Sequence, residues 1–165
     1  MKKQKETTIT SEKGKQEMFI VREFEALRDL VFKAHIDQNL VTRWMGPNDL
    51  EMKIEKYNAV SGGAYRYAMR NVTNEHVSNF NGAFHEVTAP ERIIQTFEFE
   101  GMPERGHVTL DTTTFEELPS GRTRVTIHSL CRTLADRDGL LGSGMVDGFN
   151  QGYERLDDLL EEMKG

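Results

Sequence analysis

Histidines, carboxylates and one cysteine are the residue types with which this chain can do acid–base or metal chemistry, so their spacing comes first. His35, His76, His85, His107 and His128 are scattered, and no His-x-x-x-His or His-Glu-x-x-His pattern places two imidazoles on one helix face for a metal. His85 and Glu86 are adjacent, so on a strand they point to opposite faces and cannot act together on one substrate. His128 is out of phase with Val125 and Ile127 and reads as a surface imidazole. The sequence has neither a Gly-x-Ser-x-Gly elbow nor a phosphate-binding loop. Cys131, alone inside an apolar run, reads as a small buried hydrophobe; it cannot close an internal disulfide or build a zinc cluster. What remains is a set of charges, Arg66, Arg70, Glu86, Glu98 and Asp111, which could place a charge near a cavity and read equally well as strand-surface groups. These patterns predict no catalytic residue, no metal site and no cofactor.

The chain is long enough for one domain with a sizeable core: 165 residues, 37% hydrophobic, with 14 glycines besides. Its 21 basic and 27 acidic side chains give a net charge of −6, which leaves no electrostatic footprint for nucleic acid and opposes an anionic membrane surface. Met1-Lys2-Lys3-Gln4-Lys5 is followed by Glu6, Thr7 and Thr8 rather than an apolar run, so no secretory signal is expected. No stretch has the 18 or so consecutive apolar residues of a membrane span. The expectation is a soluble, cytoplasmic protein without nucleic-acid or membrane-inserted partners.

The elements that must position these side chains follow from hydrophobic period. Residues 1–15 read as a polar lead-in with room for a short strand near Ile9, and residues 16–165 as a single domain. Met18 to Phe24 is β-prone, after which Leu27, Leu30, Val31 and Ala34 fall on one helical stripe. A second short helix, Gln38 to Trp44, stops at Gly46-Pro47. Strands are expected over Asp49–Asn58, Ala64–Arg70, Val77–Val87, Ile93–Phe99, Val108–Phe115 and Thr123–Leu130, joined by short Gly- and Pro-containing turns as in an antiparallel meander. In the second of these, Tyr65, Tyr67 and Met69 alternate with Arg66, Ala68 and Arg70, the pattern of a half-buried strand.

A single long helix is expected from about Asp136 to Met163. Leu141, Met145, Phe149, Tyr153, Leu156, Leu159, Leu160 and Met163 share one face of it. Gly142, Gly144, Gly148 and Gly152 are anomalous there, each costing about 1 kcal/mol in a helix interior. Two explanations stand: close backbone approach or a kinked first turn, and a cavity left open by the missing side chains.

The order of elements is the helix-grip plan, an α+β architecture. In it a curved antiparallel sheet of six to seven strands wraps a long C-terminal helix, with two short helices after the first strand. The local strings sharpen the match: Phe24-Glu25-Ala26, Leu30-Val31-Phe32-Lys33-Ala34, Trp44-Met45-Gly46-Pro47, Gly62-Gly63, Thr96-Phe97-Glu98-Phe99-Glu100-Gly101, Phe115-Glu116-Glu117-Leu118 and Arg137-Asp138-Gly139. In these the chain resembles the bacterial branch of the activator of heat-shock-protein-ninety ATPase homologue family, within the START-like (SRPBCC) superfamily, from about Ile9 onward. It departs from the family's usual pattern at Leu27 (proline), Met45 (a second tryptophan), Asn58 (aspartate) and Val60-Ser61 (Arg-Pro).

The resemblance implies a pocket for a small hydrophobic molecule, such as a lipid, a sterol or an aromatic polyketide, between sheet and C-terminal helix. Period-two phasing then nominates Tyr65, Tyr67, Met69, Phe84, Phe97, Phe99, Val125 and Ile127 from the strands, and Trp44, Met45, Met145, Phe149 and Tyr153 from the helices. Non-catalytic binding is the expected function. A chaperone partner, suggested by the family's name, and a cyclase or hydrolase using the same pocket are the alternatives. The superfamily contains both monomers and dimers, so a homodimer is open.

Overall fold

The computed structural model describes residues 6–165. Eight strands form one antiparallel sheet: β1 (Thr8–Thr10), β2 (Glu17–Phe24), β3 (Leu50–Tyr57), β4 (Ala64–Asn71), β5 (Val77–Thr88), β6 (Arg92–Phe99), β7 (Val108–Leu118) and β8 (Arg122–Leu130). Their spatial order is β1-β2-β8-β7-β6-β5-β4-β3. The sheet thus exceeds the expected six to seven strands. The addition is the three-residue β1, which places Ile9 opposite Ile20 and covers the edge of β2. Residues 1–5 of the expected lead-in lie outside the described residues.

Strand phase gives the sheet an outer face and a face turned to the helices. Met18, Ile20 and Phe24 of β2, Val125 of β8, Phe115 of β7, Ile93 of β6, Phe84 of β5 and Tyr65 of β4 are all buried on the second face. The register shifts between Phe84 and Glu86, and again between Ile54 and Lys56. Such bulges bend and twist a strand locally, which a sheet wrapping a helix requires.

Helices α1 (Arg28–Ile36) and α2 (Gln38–Trp44) follow β2. They are separated by Asp37, whose carboxylate accepts the Asn39 amide at 2.9 Å and caps α2. The Trp44 indole, buried at the end of α2, donates to the Ala34 carbonyl of α1 at 2.9 Å. That bond satisfies its one polar atom and fixes the two helices together.

The C-terminal helix differs from expectation in being two: α3 (Leu134–Leu141) and α4 (Met145–Lys164). Gly142 closes α3, and Gly144 sits at φ +83°, a left-handed conformation that L side chains rarely adopt. Apolar spacing runs through this elbow without a break, which is why periodicity alone fuses the two helices.

The later glycines serve close approach. A Cβ on Gly152 would lie 2.9 Å from the Trp44 carbonyl oxygen and 3.3 Å from the Gly46 nitrogen. On Gly148 it would lie 3.4 Å from Pro47. The backbone of α4 therefore rests on the turn between α2 and β3, where Arg155 donates to the carbonyls of Trp44 (3.0 Å) and Gly46. Gly152→Ala is expected to lose about 1–3 kcal/mol through overpacking, despite alanine's higher helix propensity. A Cβ at Gly139 of α3 meets no atom within 4 Å, so Gly139→Ala should gain up to about 1 kcal/mol. Urea midpoints of the two variants must straddle that of the parent; the reverse order would refute this account of α4. No helix of the described residues is long and apolar enough to cross a membrane.

Candidate functional site

The helix-facing side of the sheet is not uniform. Its upper half, around Phe24, Phe84, Phe115 and Val125, is closed by α1, α2 and the middle of α4. Tyr153 of α4 packs edge-on against Phe24 (5.2 Å) and stacks on Trp44 (5.9 Å). The buried Arg22 guanidinium makes a two-pronged bond to Asp157 of α4 (3.0 and 2.7 Å) and lies 4.8 Å from the Phe24 ring centroid. The other half is different. Phe80, Gln95, Phe97, Phe99, Asp111 and Ile127 face the same way but are only half-buried, as are Met145 and Phe149 on the first turns of α4. Cross-strand register joins them into one surface: Phe80 opposes Phe99, Gln95 opposes Asp111, and Asp111 opposes Ser129.

Aromatic rings form the wall of this surface. Phe80 lies 5.2 Å from Tyr67, 5.4 Å from Phe97 and 5.3 Å from Phe99, and Tyr65 continues the row 6.0 Å from Tyr67. Tyr65 lies over its cross-strand partner Gly82, where a Cβ would come within 2.6 Å of the ring. Glycine at that point lets the Tyr65 hydroxyl cross β5 and donate to the Thr96 carbonyl of β6 at 2.6 Å. Burial pushes the Tyr65 and Tyr67 phenols well above their usual range, so both stay protonated.

The predicted lining residues thus divide. Tyr65, Tyr67, Met69, Phe84, Val125, Trp44 and Tyr153 are buried in the closed core, whereas Phe97, Phe99, Ile127, Met45, Met145 and Phe149 keep contact with solvent. Phe80 and Gln95 belong to the open surface and were not among the nominated residues. Phe80 is in phase with Phe84, and Gln95 with Phe97, so alternation alone would have found both.

The five ambiguous charges also separate. Arg66 pairs with Glu100 (2.9 Å) and Glu55, Arg70 with Glu51 (2.7 Å), and Arg92 with Glu86 (2.6 Å), all on the outer face. Glu98 accepts the Gly106 amide at 2.5 Å, which with Arg105 holds its carboxyl below the usual range. Asp111 alone faces the helices. Burial raises its carboxyl above the usual range, against the opposing hydrogen bonds from Ser129 (2.6 Å) and Thr109. His128 sits on the outer face as its phase predicts, stacked on Phe19 (4.7 Å) with Nε2 2.6 Å from Glu17.

His35 of α1 is a structural imidazole. Its Nδ1 donates to the Val31 carbonyl at 2.7 Å, its ring lies between Trp44 (4.9 Å) and Phe115 (5.0 Å), and its Nε2 is buried without a hydrogen-bond partner. Burial lowers its pKa from 6.5 to about 4. The unfolded chain therefore takes up a proton near pH 6.5 that the folded chain refuses until about pH 4. Stability falls as pH drops through that window, by up to about 3 kcal/mol in total. His35→Leu should flatten the pH dependence of the urea midpoint between pH 4 and 6.5; parallel curves for parent and variant would refute this.

Among the described residues no three His, Cys, Asp or Glu side chains converge to hold a metal ion. A cleft of about 320 Å³ lies by β1, lined by Thr10, Ser11, Glu12, Glu17 and Phe19; it shares no residue with the open surface.

The profile of the family described as Activator of Hsp90 ATPase homolog 1-like protein matches residues 25–161. The chain belongs to that family. Solved bacterial structures are similar over nearly the whole chain. A Rhodobacter sphaeroides protein is 19% identical, covers 94% of this chain and 98% of its own, and has a TM-score of 0.83. A Staphylococcus epidermidis protein is 27% identical over 93% of this chain and 94% of its own, with a TM-score of 0.77. The AHSA1 protein from Silicibacter pomeroyi is 19% identical over 89% and 99%, with a TM-score of 0.73. No curated protein matches the sequence. The helix-grip fold of this AHSA1-like chain is shared with these structures, while the half-open surface is described by its own side chains.

Proposed function

We propose that this AHSA1-like chain binds a small, largely apolar molecule, without turning it over, on the half-open surface between strands β5–β8 and the start of α4. The observation that carries the reading is the set of half-buried apolar side chains, Phe80, Phe97, Phe99, Ile127, Met145 and Phe149, on the helix-facing side of the sheet and the start of α4. Half-buried aromatics around a few polar groups are what a drug-sized apolar ligand needs. Acid–base turnover needs two free ionisable groups at one place. Here Arg22 is committed to Asp157 and the Tyr65 hydroxyl to Thr96, which favours binding alone.

A thermal-shift screen against fatty acids, sterols, flavonoid-like aromatics and polyketides tests this. At 100 times Kd a ligand should stabilise the fold by about 2.7 kcal/mol, a rise of about 5–11 °C for a domain of this size. The shift should disappear in Phe97→Asp and persist in the outer-face variant Arg70→Ala. No shift from any class would overturn the reading and leave the protein partner suggested by the family's name as the better one.

A further inference from the structure

Asp111 is costly where it stands. It lies mid-strand in β7, flanked across the sheet by Gln95 of β6 and Ser129 of β8, on the face turned to the helices. An ionised carboxylate has about four acceptor positions. The hydroxyls of Ser129 and Thr109 supply two neutral donors, and no Lys, Arg or His among the described residues forms an ion pair with it. The nearest imidazole acting on it, that of His128, projects from the outer face of β8 to Glu17. Every other acidic group considered above has a charged or backbone partner; Asp111, half-buried like Phe97 and Ile127 on the same face, has only these neutral donors. A partly buried carboxylate left without a cation costs a fold stability, and such violations collect at functional sites.

We propose that Asp111 is the polar anchor of the open surface and that its ligand is an aromatic or aliphatic amine. The ammonium takes the free lone pairs of Asp111, and the apolar body lies along Phe97, Phe80 and Ile127. The inference rests on the binding function proposed above and adds the ligand's head group to it. The chain's net charge of −6 also draws cations rather than anions toward the protein.

Three probes with one body and different heads test it: 2-(2-naphthyl)ethylamine, 2-(2-naphthyl)ethanol and 2-naphthylacetate. Titration at pH 7, with amide chemical-shift changes to locate the site, should give the amine an affinity at least 10-fold above the alcohol, with the carboxylate weakest. Asp111→Asn should cost the amine 10-fold or more, change the alcohol less than threefold, and raise the melting temperature of the unliganded protein. Equal binding of amine and alcohol to the parent protein, with shifts at Phe97 and Ile127, would overturn the anchor while leaving the pocket. Failure of all three probes to shift any residue of that surface at millimolar concentration would overturn the amine proposal, and the binding function falls with it only if the thermal-shift screen also gives no shift from any class. The head-group comparison uses the parent protein, so it decides the matter even if the variant fails to fold.

Discussion

Tyr153→Ala is expected to destabilise the protein by about 3–5 kcal/mol, enough to unfold a domain of marginal stability at moderate temperature. Tyr153 is 1% exposed and its ring is held between Phe24 on the sheet and Trp44 on α2. Truncation empties the space between β2, α2 and α4 that the ring fills, and its neighbours cannot collapse into it because Gly152 already holds α4 against the Trp44 carbonyl. Phe149, one turn earlier and half-buried, is the internal control. Phe149→Ala should cost about 1–2 kcal/mol, because its ring leaves solvent only in part on folding. Equal losses in the two denaturation curves would mean that α4 is sealed along its whole length, and the division of the helix-facing side would be wrong.

The second large effect comes from charge. Asp157→Ala should cost about 3 kcal/mol, since Arg22 is 3% exposed and would keep a buried guanidinium without its two-pronged acceptor. Arg22→Met should be near neutral, because removing the buried cation also removes the need for its partner, and methionine fills much of the same volume. The double variant should resemble Arg22→Met alone. Chemical denaturation of the three proteins measures this directly. An Arg22→Met loss as large as that of Asp157→Ala would show that the pair itself, rather than the stranded charge, is what matters.

Alternation carried most of the fold. Tyr65, Tyr67 and Met69 against Arg66, Ala68 and Arg70 predict both a strand and its buried face, and the structure places them so. Local strings were enough to assign the family. The elbow at Gly144 was not legible, because the apolar stripe of α3 and α4 is continuous in sequence and only the backbone angle breaks it. β1 is too short to carry a period; Ile9 was its one signal. The site was legible as a face but not as an opening. Phase says that Phe84 and Phe97 look the same way, yet one is sealed and the other half-open. That difference depends on where a distant helix rests, a property of the turn at Trp44–Pro47 and the glycines that meet it. Asp111 shows the same limit: its phase with Thr109 and Phe115 gives its direction, whereas its lack of a cation among the described residues emerges only once their basic side chains have been placed.

The elbow gives α4 two halves of unequal permanence. Gly144 offers no side chain to cap the first amides of α4, and Gly148 follows within the next turn. Beyond Gly152, by contrast, Leu156, Leu159 and Leu160 are anchored in the core. Amide hydrogen exchange should therefore be fast over residues 145–149 and should slow toward the rate of global unfolding by Leu156. The end of the helix that borders the open surface can fray and re-form many times within one lifetime of the folded state. On the binding function proposed above, a guest would need only a local opening of one or two turns at this end of α4, and the fold as a whole need never come apart.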